Sequence, residues 1–293
     1  MLAEEVRAQC ALLAAQARWV RIDLDALGAV DPSEPPPLDA EHHFLEGDEE
    51  DVARYLFTLD AINFGSGWFP ELRKRQTPDG PMSGYFTIAS ALSDRFRGEG
   101  PWTNAQLRTM RTDELAAVLG QAADLELMAL YAQGLRALGR FLGDRRALHA
   151  VAEAQGSAQR LAGRLAQGMA MFNDVGFFKR AQILPHDLAL AGLATFGDLE
   201  QLTIFADNLV PHVLRCEGVL VYERRLADHI DGGWRLPLGG AEREIRACAV
   251  HACALLAERT GISERTLDNW LWNRGQAPEY KARPRHRCKT VFY

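Results

Sequence analysis

No stretch of this sequence stays apolar for the roughly 20 residues a bilayer crossing needs, so no membrane partner is expected. Nor is there a surplus of positive charge: 33 Lys and Arg stand against 39 Asp and Glu, a formal net charge of -6. A protein that wraps DNA or RNA neutralises phosphates with a basic surplus, so nucleic acid is not expected as a partner. The five cysteines, Cys10, Cys216, Cys248, Cys253 and Cys288, are odd in number and contain no Cys-x-x-Cys pair, which reads as reduced thiols in a cytoplasmic protein. Cys248, His251 and Cys253 share a predicted helix, but their spacing splays the thiols apart and no second ligand pair stands nearby, so no metal is expected. Gly-x-Gly-x-x-Gly and Gly-x-x-x-x-Gly-Lys-Ser/Thr are absent, as are His-Glu-x-x-His and Gly-x-Ser-x-Gly. Nucleotide cofactors held by such loops, and the corresponding zinc and serine hydrolases, therefore have no support, and no cofactor is implied.

What is present is helical periodicity. Hydrophobic residues at 47% and charged residues at 25% fit an ordinary soluble globular chain. Residues 3–19 read as an amphipathic helix and not a signal peptide, and residues 20–27 as a short extended piece. The Pro-rich stretch 31–37 reads as a surface loop. Asp48-Glu-Glu-Asp51 suits a helix start, with Val52, Tyr55, Leu56 and Leu59 turned inward. That helix runs into an aromatic corner, Asn63 to Phe69, where Gly65 and Gly67 allow a tight turn or a close approach. Residues 71–84 read as a loop and 85–96 as a helix. Thr103 with Gln106 forms a capping-box pattern, and packed helices should follow as far as residue 170. Residues 199–211 read as a helix bent by Pro211, 221–240 as a long connection, and 241–258 as a helix carrying a Glu242–Arg246 pair. Ser263 can cap the last helix. The fold class is all-α, in one domain spanning 1–293, with a part of about 1–100 packed on 101–293.

The candidate chemistry gathers in the segment 266–293. Leu267, Trp270 and Leu271 fall at helical spacing and should dock on a core, with Asp268 set among them. An acid on such a face is paired, hydrogen-bonded or used. A tail follows with Lys281, Arg283, Arg285, Arg287 and Lys289 and no acid after Glu279. A buried carboxylate followed by a cationic tail suits a ligand with a sugar and an anionic end; a terminal helix with a solvated basic tail is the plainer alternative. Asp60, Asp207 and Asp268 all stand beside aromatic residues, which could stack a flat heterocycle while a carboxylate accepts its N–H groups. A second carboxylate could stabilise positive charge on a sugar as a glycosidic bond breaks.

Several segments together resemble the queuosine salvage proteins, which are queuosine 5′-phosphate N-glycosylases. They are Phe57-Thr-Leu-Asp-Ala-Ile-Asn-Phe64, Phe177-Phe-Lys-Arg-Ala-Gln-Ile-Leu184, Leu202-Thr-Ile-Phe-Ala-Asp207, Glu244-Ile-Arg-Ala247, Leu267-Asp-Asn-Trp-Leu-Trp272 and His286-Arg-Cys288, spread in order along the chain. The resemblance implies a fold similar to the helix-hairpin-helix DNA glycosylases with an N-terminal helical extension. It also implies hydrolysis of the bond between ribose 5-phosphate and queuine, a modified 7-deazaguanine. By the same likeness Asp268 is the nucleophile or the stabiliser of the transition state, and Phe205 and Asp207 contact the base. A histidine ahead of the second helix, His43 in preference to His42, also contacts ligand, and Thr266, Leu267 and Leu271 line the pocket. Lys179, Arg180, Lys281 and Arg287 are candidates for the phosphate or ribose. Asp207 could receive the guanine-like N–H donors in a bidentate way.

Queuine lacks N7, so the enzyme cannot assist its departure by protonating that nitrogen. The work should fall on stabilising the ribose cation. The competing readings are a non-catalytic queuine or 7-deazaguanine carrier, and a true DNA glycosylase, against which the acidic charge weighs. The expected partner is a small-molecule substrate; the oligomeric state is not legible in the sequence.

Overall fold

Helix-start chemistry recurs along the chain, and the computed structural model, which describes residues 1–78 and 80–293, is mainly helical. Its helices are α1 (Leu2–Ala15), α2 (Leu24–Ala29), α3 (Glu49–Ile62), α4 (Gly84–Glu99) and α5 (Asn104–Arg108). There follow α6 (Thr112–Val118), α7 (Glu126–Leu142), α8 (Ala147–Ala152), α9 (Ala158–Gly168) and α10 (Lys179–Leu190). The last are α11 (Val210–Cys216), α12 (Arg224–Asp231), α13 (Ala241–Thr260), α14 (Glu264–Arg274) and α15 (Pro278–Lys281). Strands are short: β1 (Val20–Ile22) pairs antiparallel with β4 (Leu220–Tyr222), and β2 (Gln76–Thr77) with β3 (Gly80–Pro81). No described helix is long and apolar enough to cross a membrane.

Local chemistry explains the better-defined starts. Asp48 accepts the Asp51 N–H at 2.8 Å, and three further acids sit in the first turn of α3, opposite the positive end of its dipole. Thr103 and Gln106 close a reciprocal capping box on α5. Helix α8 has no cap of its own; buried Glu50 of α3 accepts the N–H groups of Ala147 at 2.7 Å and Leu148 at 3.0 Å instead. Two apolar cores result. One is built around α3, α4, α7, α9 and α10. The other is built around α13, where α1, β1 and α2 meet α11 and α14.

Four expectations change. Residues 20–27 are extended only over β1, because Asp23 accepts the Ala26 N–H at 3.1 Å and starts α2. Residues 199–211 are not one helix: a single 3-10 turn, Leu199–Gln201, gives way to non-helical backbone from Leu202 to Ala206. β-Branched Thr203 and Ile204 disfavour a helix there, and the Gln182 amide pairs with Thr203 on both sides, accepting its N–H at 3.0 Å and donating to its hydroxyl at 2.8 Å. Pro211 then bends nothing; it lies in the first turn of α11, where its missing N–H costs no bond. The stretch 221–240 is not all connection, since it contains the end of β4 and the whole of α12. Ser263 occupies the N-cap position of α14 without capping it; its hydroxyl donates to Glu200 at 2.5 Å.

Candidate active site

The non-helical run before α11 leaves backbone groups that helices would have paired, and side chains from three directions take them up. The Phe205 N–H donates to Asp268 Oδ1 of α14 at 2.7 Å. The Ala206 carbonyl accepts from Arg246 Nε of α13 at 2.9 Å. Asp207 Oδ1 accepts the N–H groups of Leu209 at 2.7 Å and Val210 at 3.0 Å, opening α11. These bonds hold Phe205, Asp207 and Asp268 on one wall of a cavity of about 180 Å³. Helix α10 supplies a second wall with Lys179, Ile183, His186, Asp187 and Leu190, a stripe of one helix face. His43, Tyr85, Phe86 and Trp272 form the aromatic side, and Asn63, Arg285 and Tyr293 complete the lining named here.

Charge in this space is expensive, and the titrations reflect it. Asp268 is 5% exposed; burial, reinforced by the Asp207 charge, pushes its carboxyl up to about 8, against the pull of the Phe205 N–H and Lys179. Asp187 is raised well above the usual carboxylate range by burial and by Asp60 and Asp268, with Lys179 opposing. Burial lowers the ammonium of Lys179, whose Nζ donates to the Asn63 carbonyl at 3.2 Å. Burial likewise lowers Arg285, with the Asp207 charge acting the other way. His43 Nδ1 lies 2.6 Å from the Asp39 carbonyl, so it carries the proton; Nε2 then accepts from the Tyr85 hydroxyl at 2.9 Å. This leaves a neutral imidazole with a fixed tautomer, in keeping with its lowered pKa, caused mainly by burial.

Of the residues expected from sequence, the fold brings Asp268, Asp207, Phe205, His43 and Lys179 to the cavity. His42 turns away and pairs with Asp39 at 2.6 Å. Leu267 and Leu271 do not reach the lining; both are fully buried in the second core and seat α14. Thr266 bonds to Ser263 at 3.0 Å. Arg180 is spent on protein carbonyls, donating to Ala61 at 2.9 Å and Val291 at 2.7 Å, and so anchors the tail. Lys281 is exposed, and Arg287 donates to the Gly233 carbonyl. Asp60 is buried behind the wall, its carboxyl pushed up to about 7 by burial. The bidentate role for Asp207 is also reduced: Oδ1 already serves two backbone N–H groups, so Oδ2 is the oxygen left for a ligand.

The tail itself is no solvated arm. His286 and Cys288 are buried, and the His286 carbonyl accepts from Asn208 Nδ2 at 3.0 Å, which ties the tail beside Asp207. A Cβ on Gly67 would overlap the Cys288 carbonyl, so the glycine in the aromatic corner makes room for the tail and not for a ligand. Arg285 stood among the tail bases the sequence offered for an anion; residues that sequence reasoning missed are His186, Asp187, Tyr85, Phe86 and Trp272. The α10 residues were findable: Lys179, Ile183, His186 (burial holds it near 3), Asp187 and Leu190 recur at helical spacing. Among the described residues no group of His, Cys, Asp and Glu is arranged to hold a metal ion. The arrangement suits a ligand with a flat ring against Phe205 and the aromatic side, an anion near Lys179 or Arg285, and a carboxylate at a centre that becomes positive.

Comparison with known proteins converges on one family. The model of the queuosine salvage protein family matches residues 42–293. The queuosine 5′-phosphate N-glycosylase/hydrolase of Sphaerobacter thermophilus is 32% identical, over 95% of this chain and 94% of that protein. The protein of the same name from Bos taurus is 28% identical over 84% and 83% of the two chains, and that of Schizosaccharomyces pombe 25% identical over 96% and 93%. The extent of the match shows that this chain belongs to the queuosine salvage protein family.

Proposed function

We propose that this chain hydrolyses the N-glycosidic bond of queuosine 5′-phosphate, releasing queuine and ribose 5-phosphate. The observation that carries the reading is Asp268: a carboxyl almost excluded from water, oriented by the Phe205 N–H at 2.7 Å, in the wall of a cavity with aromatic and cationic sides. As the bond from C1′ to the base nitrogen lengthens, positive charge develops on the ribose, and Asp268 in its ionised form, a fraction that grows as pH rises towards about 8, lowers the energy of that state. Water supplies hydroxide to C1′ and a proton to the departing nitrogen, so the atoms balance. Phe205 covers the base, Asp207 Oδ2 accepts one of its N–H donors, and the neutral imidazole of His43 faces the ligand from the aromatic side. Lys179 meets the 5′-phosphate, joined by Arg285, which lines the same cavity. Arg180, Lys281 and Arg287 are left out of that role because their side chains are engaged elsewhere or turned to solvent.

The test is base release from queuosine 5′-phosphate by purified protein. Asp268→Asn should still bind queuine while kcat falls by about three orders of magnitude, equivalent to ~4 kcal/mol of transition-state stabilisation. A wild-type protein that binds queuine and releases none from the nucleotide would instead make it a carrier.

A further inference from the structure

One carboxyl in the cavity has no work in the hydrolysis just described. Asp187 is 9% exposed and lines the cavity, and its carboxyl makes no hydrogen bond to the described residues. A carboxyl buried without a donor is costly unless something arriving in the cavity supplies one. The acids facing it are Asp60 and Asp268, and the cation facing it is Lys179, which is already bonded to the Asn63 carbonyl.

Beside Asp187 stands the aromatic side of the cavity. The charge of Asp187 acts on the Tyr85 phenol. Tyr85 packs edge-on to Trp272 with ring centroids 5.4 Å apart, and Phe86 packs against both, at 5.4 Å from Tyr85 and 5.7 Å from Trp272. Aromatic rings next to a carboxylate make a site for an organic ammonium ion, since both attract a cation and the rings also shed water from its alkyl arms. A neutral donor could satisfy the carboxyl too, but charge balance favours a cation. Among the described residues the lining holds four carboxyls, Asp39, Asp187, Asp207 and Asp268, against Lys179 and Arg285; a nucleotide brings further negative charge, and an ammonium beside Asp187 offsets the burial and like charge that keep its proton on. Queuine differs from guanine in carrying, on an aminomethyl arm, a secondary amine that is protonated near neutral pH.

We propose that Asp187, with Tyr85 and Trp272 beside it, is an ammonium subsite that selects 7-deazapurines bearing a protonated alkylamine over those without one. The inference rests on the queuosine reading, and the experiment separates the two. Calorimetry on the full chain compares 7-aminomethyl-7-deazaguanine with 7-deazaguanine, and base release compares queuosine 5′-phosphate with 7-deazaguanosine 5′-phosphate. The wild type should bind the amine-bearing base at least about tenfold more tightly, and Asp187→Asn should shrink that ratio to about twofold. In base release, kcat/KM of the variant should fall about tenfold further for queuosine 5′-phosphate than for 7-deazaguanosine 5′-phosphate, chiefly through KM. An unchanged ratio, or an equal loss on both ligands, overturns the proposal. If Asp187→Asn binds neither base, Trp272→Leu must show the same selective loss, or the proposal falls. A wild type that prefers the amine-bearing base yet cleaves neither nucleotide refutes the hydrolytic reading and leaves the subsite standing. One that cleaves both without preference does the reverse.

Discussion

At the scale of single residues the site is governed by desolvation. Asp268 resists ionisation because it is dry and faces Asp207, and its carboxyl rises from 3.8 to about 8. Between those two values the folded chain keeps a proton that the unfolded chain has lost, so this group makes stability fall as pH rises and level off above about 8. Asn at the same position keeps an oxygen for the Phe205 N–H and cannot ionise. Asp268→Asn should therefore melt above wild type near pH 8, by about 3 °C for each kcal/mol recovered. The gap should close towards about pH 4, where both side chains are neutral in both states. Scanning calorimetry across that range checks this; a variant that melts no higher than wild type at any pH would contradict it. In the proposed reaction, positive charge on the ribose would offset the energy lost from the fold by holding Asp268 in place.

At the scale of elements, the site depends on pieces that are not helices. The tail 282–293 threads past the aromatic corner, held by Arg180 on the Val291 carbonyl and by the Gly65 N–H on the Tyr293 carbonyl at 2.9 Å. It carries Arg285 and Tyr293 to the cavity. At Gly67 corner and tail lie so close that a Cβ would overlap the Cys288 carbonyl. Gly67→Ala should push the Cys288 backbone aside, cost about 1–3 kcal/mol and weaken nucleotide hydrolysis more than general stability explains. Gly163→Ala, within α9 and with open space around its would-be Cβ, should stabilise by roughly 0.5–1 kcal/mol. Urea unfolding of the pair measures both; equal and small effects would show that the tail yields easily.

At the scale of the whole molecule, Arg246 links the parts. Its guanidinium pairs with Asp174 and, at 3.5 Å, with Glu242, while Nε donates to the Ala206 carbonyl. It also lies over the rings of Phe177, at 3.9 Å, and Tyr293, at 4.6 Å. One buried cation thus joins α13, the turn before α10, the Phe205–Asp207 segment and the tail. Arg246→Met leaves two buried carboxylates without their partner and should destabilise by about 3–5 kcal/mol, read from the denaturant midpoint. The sequence suggested only an i,i+4 pair with Glu242, worth a few tenths of a kcal/mol on an exposed helix, because a sequence does not show that Asp174 lies beside it or that water is absent.

What the sequence determined by itself is the local chemistry. Helix starts at Asp48 and Thr103, the inward face of α3, and the docking of α14 by Leu267 and Leu271 all follow from side chains within a few residues of one another. The residues themselves singled out Asp268 and Asp207, family likeness added Phe205 and His43, Lys179 was a candidate for the phosphate, and all five line one cavity. The tertiary structure alone decided which bases are free to meet an anion. Lys179, Arg180, Arg285 and Arg287 are equivalent by composition, yet Arg180 and Arg287 are consumed by backbone carbonyls and the other two face the cavity. It also decided that 202–206 is not helical, since Gln182, Arg246 and Asp268, all distant in sequence, take the bonds a helix would have made. The reason is the same in both cases: a buried polar group must find a partner, and the partner's identity depends on which distant segments fold against it.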